Sequence, residues 1–138
     1  MGWIDGFLEK TVNALRFKNV GIRSFSSAVR LLSTGPVVID SFFIGQVTAA
    51  NYFIQAESSN GITESLYANV VVNMTPDKST YLANMVVYGR VSTGVQLVTL
   101  TATVDKGQVF LNAEITAGAT GTIQVRRFPT YMETIYGN

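Results

Sequence analysis

A reactive group in this chain has to be a carboxylate, a lysine, a hydroxyl or a tyrosine, because the sequence contains neither histidine nor cysteine. Imidazole bases, thiol nucleophiles, disulfides and cysteine-containing zinc sites are thereby excluded. The carboxylates show no catalytic spacing. Asp77 and Asp105 fall in segments that read as turns, where aspartate commonly hydrogen-bonds nearby backbone. No local spacing of acids marks a glycosidase-type pair. No Gly-Lys-Ser/Thr loop and no helix-opening Gly-x-Gly-x-x-Gly is present, and no Asp or Asn run has the spacing of a calcium loop. The expectation is a protein that is not an enzyme and uses no cofactor or metal.

Binding chemistry has more material. Tyr52, Tyr67, Tyr88 and Arg126 are candidate surface contacts, and Tyr136 could join the tyrosines in a carbohydrate platform if these rings are exposed. The structural alternative is that tyrosines serve as cross-strand residues of a sheet. Arg126 and Arg127 are adjacent, so on a strand they point to opposite faces and do not form one patch. One of them then becomes an internal partner, for Glu114 or for the C-terminus. Asn73-Met74-Thr75 matches a glycosylation acceptor, a triplet that matters only in a eukaryotic secreted protein.

The elements that position these residues divide the chain in two. Residues 1–36 read as an N-terminal helical arm. Trp3, Ile4, Phe7, Leu8, Val12 and Leu15 recur at three- and four-residue steps, the period of an amphipathic helix over about residues 2–17. Asp5 and Glu9 lie toward its N-terminus and Arg16 and Lys18 toward its C-terminus, the order the helix dipole favours. Ile22, Phe25, Val29 and Leu32 suit a second short helix. The apolar face of the arm is the candidate docking surface, either for a partner or for the chain's own sheet. Lys10, Arg16, Lys18, Arg23 and Arg30 outnumber Asp5 and Glu9, leaving the arm mildly basic and the rest mildly acidic within a net charge of +1. That balance argues against nucleic acid and against membrane attraction as partners. Acids at 5 and 9 also interrupt any signal-peptide core.

From residue 37 to 138 the period becomes two. Leu66, Ala68, Val70 and Val72 alternate with Tyr67, Asn69 and Val71, and Tyr81, Ala83, Met85 and Val87 alternate with Leu82, Asn84, Val86 and Tyr88. Val98, Leu100, Ala102 and Val104 alternate with threonines, and Val109, Leu111, Ala113 and Ile115 with Phe110, Asn112 and Glu114. Each is a strand with a core-facing side. Segments 37–43, 51–57 and 122–128 add three more. Turn clusters separate them, Asp105-Lys106-Gly107 most sharply, with a glycine suited to positive φ beside a bulge. About seven strands with no helix between them predict an antiparallel β-sandwich, jelly-roll or Ig-like.

The strand region carries a resemblance. Val38-Ile39-Asp40-Ser41-Phe42, Asn51-Tyr52-Phe53-Ile54-Gln55-Ala56 and Ala68-Asn69-Val70-Val71-Val72 come first. Val86-Val87-Tyr88-Gly89-Arg90-Val91-Ser92-Thr93-Gly94, Leu100-Thr101-Ala102-Thr103-Val104 and Lys106 to Ile115 follow, and Thr120 to Arg127 closes the series. Over residues 38–128 the chain resembles a β-sandwich module of virion structural proteins from tailed phages of marine cyanobacteria. The resemblance implies a structural component of the virion, assembled in the host cytoplasm. Its partners would be the major capsid protein or tail proteins, and its own copies in a homo-oligomer. With charged residues at 14% and apolar ones at 47%, the chain has apolar surface to spare for such contacts. A head-decoration or cement protein is the leading expectation. A tail fibre, baseplate or adaptor component, and a host-glycan-binding module, are the alternatives.

Overall fold

Alternating sequences become strands once one face is covered, and here two antiparallel sheets cover each other. The computed structural model of the chain describes residues 30–74 and 80–135. The strands are β1 (Arg30–Leu31), β2 (Val37–Phe43), β3 (Val47–Ser58), β4 (Thr63–Met74), β5 (Tyr81–Ser92), β6 (Val98–Asp105), β7 (Gln108–Ile115) and β8 (Ile123–Glu133). A five-stranded sheet has the order β1-β8-β3-β4-β5, and a three-stranded sheet the order β2-β7-β6. All described pairings are antiparallel. The mainly β, sandwich-like architecture is therefore as the alternation predicts. No helix among the described residues is long and apolar enough to cross a membrane.

One core fills the space between the sheets. The five-stranded sheet contributes Ala50, Tyr52, Ile54, Ala56, Leu66, Ala68, Val70, Ile123 and Val125. From the other side come Ile39, Phe42, Leu97, Val98, Leu100, Val109, Leu111 and Ala113. Along β3, β4, β6, β7 and β8 these are every-second residues, so the period of two is the inside–outside pattern there. The register shift in β2 separates Ile39 from Phe42 by three, and Leu97 enters from the loop before β6.

Two boundaries differ from the sequence expectation. The sandwich begins before residue 37: Arg30 and Leu31 pair with β8, and Leu32 is buried in the core. Leu32, read from the sequence as part of a short helix, instead follows β1, donating its N–H to the Ile123 carbonyl at 2.9 Å with its side chain buried in the core. The third strand starts at Val47, and the last runs on to Glu133, because β3 and β8 pair along nearly their whole length. The amphipathic segment with Trp3, Ile4, Phe7, Leu8, Val12 and Leu15 lies outside the described residues, as do Asp77 and Tyr136.

At the β6–β7 hairpin, Asp105 pairs with Gln108 across two residues, Lys106 at φ 52° and Gly107 at φ 80°. Two successive positive φ values make this a two-residue turn of the type that matches strand twist, without the expected bulge.

Candidate functional site

Three side-chain groups stand out: two buried polar clusters between the sheets and a row of aromatic rings on the outside. The first cluster centres on Asp40 of β2, whose side chain is 5% exposed. Tyr52 and Tyr131 each donate a hydroxyl hydrogen bond of 2.6 Å to its Oδ2, and Arg127 donates from Nε to Oδ1 at 3.0 Å. The three donors come from β3 and β8, so a carboxylate of one sheet is held by the other. Burial first, and then the hydrogen bond to Asp40, push both phenols above the ordinary tyrosine range. Both remain neutral donors at physiological pH.

The second cluster reverses the arrangement. Glu64 of β4, wholly buried, accepts the backbone N–H groups of Leu97 and Val98 on Oε1 at 3.2 Å each. Arg90 donates to its Oε2 at 2.8 Å and to the carbonyl of Val98 at 3.1 Å. A carboxylate of the five-stranded sheet thereby fastens the start of β6. Each cluster matches a buried charge with a partner and fills its hydrogen-bonding positions, the condition for tolerating it in a core. Acid, hydroxyl and guanidinium groups are spent on one another, leaving a structural clamp at either flank of the sandwich.

Outside, Phe128, Phe53, Tyr67 and Tyr88 lie in register across β8, β3, β4 and β5. Neighbouring ring centroids are 5.8, 5.1 and 5.4 Å apart, with interplanar angles of 25°, 37° and 16°. The rings stand beside one another with their faces turned toward their neighbours. Asn51 donates a hydrogen bond to the Tyr88 hydroxyl at 3.0 Å. Around the row, Val71, Leu82, Val86 and Val91 are exposed. On the outward positions of β3, β4, β5 and β8, charge is confined to Glu57 and Arg126 among the described residues.

This placement sorts the candidate contacts. Tyr67, Tyr88 and Arg126 share the outer face. Tyr52 does not: it is fully buried, because its phase on β3 points into the core and its hydroxyl is taken by Asp40. Arg126 and Arg127 do point to opposite faces, and the internal partner of Arg127 is Asp40, not Glu114. Phe53 is not among the contact residues the sequence marks, and Phe128 is marked only as a possible stacking residue after Arg126-Arg127, not as part of a row. Their signal was an aromatic at an outward-phase position, which only the strand register joins into a row. A sugar stacks on an open ring face, and most faces in this row are occupied by the neighbouring ring. The rings form a cross-strand ladder on the outer face of the sheet. Among the described residues no group of three or more acidic side chains is placed to hold a metal ion.

Comparison with known proteins finds no matching family model, no matching curated sequence and no matching solved structure.

Proposed function

We propose that the protein is a structural, non-enzymatic component of a tailed-phage virion, a head-decoration or cement protein that binds the capsid shell. The observation that carries the reading is the outer face of the five-stranded sheet. It is nearly uncharged and carries an aromatic row and exposed Val71, Leu82, Val86 and Val91 beside uncharged polar residues such as Asn51, Asn69 and Asn84, a surface suited to a protein–protein contact. The order of strand sequences over residues 38–128, with its resemblance to phage virion modules, supplies the context. The N-terminal segment, through Trp3, Ile4, Phe7, Leu8, Val12 and Leu15, is a second anchor. Repetition of such contacts on a symmetric lattice makes individually weak contacts hard to release together.

The test is quantitative mass spectrometry of purified particles. A copy number comparable to that of the major capsid protein is the expected result. A small number matching tail symmetry would transfer the protein to the fibre, baseplate or adaptor, and absence from particles would overturn the virion role. Val71→Lys, on the exposed face, is expected to lower incorporation while leaving the melting temperature unchanged. Deletion of residues 1–18 that left incorporation at the wild-type level would remove the anchoring role of the N-terminal segment.

A further inference from the structure

The five-stranded sheet ends in two unlike edges. At one end β1 contributes Arg30 and Leu31 among the described residues. At the other, β5 is twelve residues long and, among the described residues, has a ladder partner on one side only, β4. Long edges are normally blunted by lysine, proline or inward-turned charge. From Tyr81 to Gly89 the edge strand contains no charged residue and no proline. The charge that follows, Arg90, is turned inward and paired with Glu64.

Two further observations point outward from this edge. Ala83, Met85 and Val87 have the core-facing phase, yet they are only half-buried. The shorter sheet does not fully cover them. The aromatic row also ends here: Tyr88 stacks on Tyr67 with one ring face, and no further ring lies on its other side among the described residues. Among the described residues, the edge thus combines backbone groups without a ladder partner, half-covered apolar side chains and an unstacked ring face.

We propose that β5 pairs antiparallel with β5 of a second copy of this chain, joining two five-stranded sheets into one continuous sheet across a two-fold axis at Met85. The occupant is a second copy because the uncharged run is symmetric about that residue. An axis there sets Leu82 opposite Tyr88 of the other copy and Asn84 opposite Val86. Leu82 then meets Tyr88 and Ala83 meets Val87, uncharged Asn84 lies opposite Val86, and no like charges face each other. The second copy's Leu82 covers the open face of Tyr88, and the second sandwich covers the half-exposed Met85 and Val87. This pairing does not depend on the virion role, so failure of the particle experiment leaves its test intact.

The test uses the full chain in solution. Sedimentation equilibrium is expected to show a monomer–dimer equilibrium, with the dimer mass reached as concentration rises. Val86→Lys, at an exposed outward position, is expected to weaken the dimer roughly tenfold or more, since a two-fold contact feels each substitution twice. Because the chain has no cysteine, Met85→Cys introduces a single thiol. Directly opposed residues of antiparallel strands lie within disulfide range, so mild oxidation is expected to link two copies. The loop variant Val95→Cys is expected not to link. Should Val86→Lys fail to fold, hydrogen exchange on the wild-type chain decides: protection of β5 amides is expected to rise with protein concentration. A monomer at every concentration would overturn the proposal. So would β5 amides protected equally at all concentrations, which would mean pairing within the chain. A dimer that neither Val86→Lys weakens nor Met85→Cys links would place the contact elsewhere and overturn it as well.

Discussion

Glu64 shows how a single buried side chain holds two sheets together. Its two oxygens take two backbone N–H groups and a guanidinium. Glu64→Ala strands all three donors, and a destabilisation of roughly 3–5 kcal/mol is expected from urea unfolding. Glu64→Gln, which keeps an acceptor for the N–H groups, is expected to lose less. The opposite cluster carries a pH signature. The Tyr52 and Tyr131 phenols are raised in the folded chain above the ordinary value of 10.0. The folded state therefore holds these protons more tightly than the unfolded state. Their contribution is complete below about pH 10 and is lost as pH rises beyond it. Melting temperature is expected to fall above about pH 10 on this account. Tyr52→Phe is expected to cost roughly 1–3 kcal/mol at neutral pH, the penalty of an acceptor left short of a donor. It is also expected to flatten the alkaline decline.

At the level of elements, the departures from strict alternation carry the information. In β5 the outward and inward phases run regularly to Tyr88, and continued alternation would send Arg90 outward. The pairing of β4 with β5 shifts between Ser65 and Tyr67, and Gly89 takes a φ of 64°. This bulge returns Arg90 to the inside, where Glu64 waits. A Cβ at Gly89 would also stand 3.0 Å from the Tyr67 ring. Gly89→Ala is accordingly expected to destabilise by about 1–2 kcal/mol, measured by thermal unfolding, through left-handed strain plus displacement of the ring. The β6–β7 turn offers the converse. Lys106 occupies a left-handed position that asparagine tolerates better. Lys106→Asn is expected to stabilise by a few tenths of a kcal/mol, read as a raised urea midpoint with unchanged slope. The alternation and the turns were legible in the sequence. The bulge was not, because Gly89 in an apolar run looks like any strand glycine until the neighbouring register is known.

For the molecule as a whole, neither sheet has a core of its own. The buried residues of the two sheets form one cluster, and each flank is closed by a carboxylate that crosses between them. Unfolding is expected to be a single transition, with far-ultraviolet and near-ultraviolet circular dichroism coincident. Glu64→Ala is expected to move that transition as a unit rather than split it. The same architecture explains why the outer face of the larger sheet can remain apolar: the core does not need it. The exposed tyrosines and valines are thereby free for contact with a partner, which is where the proposed assembly role and the edge pairing both act.

Composition and period by themselves determined the class of this protein. A chain alternating every second residue between turn clusters, with no helical segment between its strands, has antiparallel sheets. Which face of each strand is inside was decided by tertiary structure. On β3 Tyr52 and Phe53 are adjacent aromatics, and their residue types alone do not say which of the two is buried, although Asn51, Gln55 and Glu57 share the phase of Phe53. The second sheet chose, burying Tyr52 against Asp40 and leaving Phe53 to the outer row. The destinations of Arg90 and Arg127 were settled in the same way. An ion pair needs its partner brought from a distant strand, and Asp40 and Arg127 meet across 87 positions of sequence only when the sheets close.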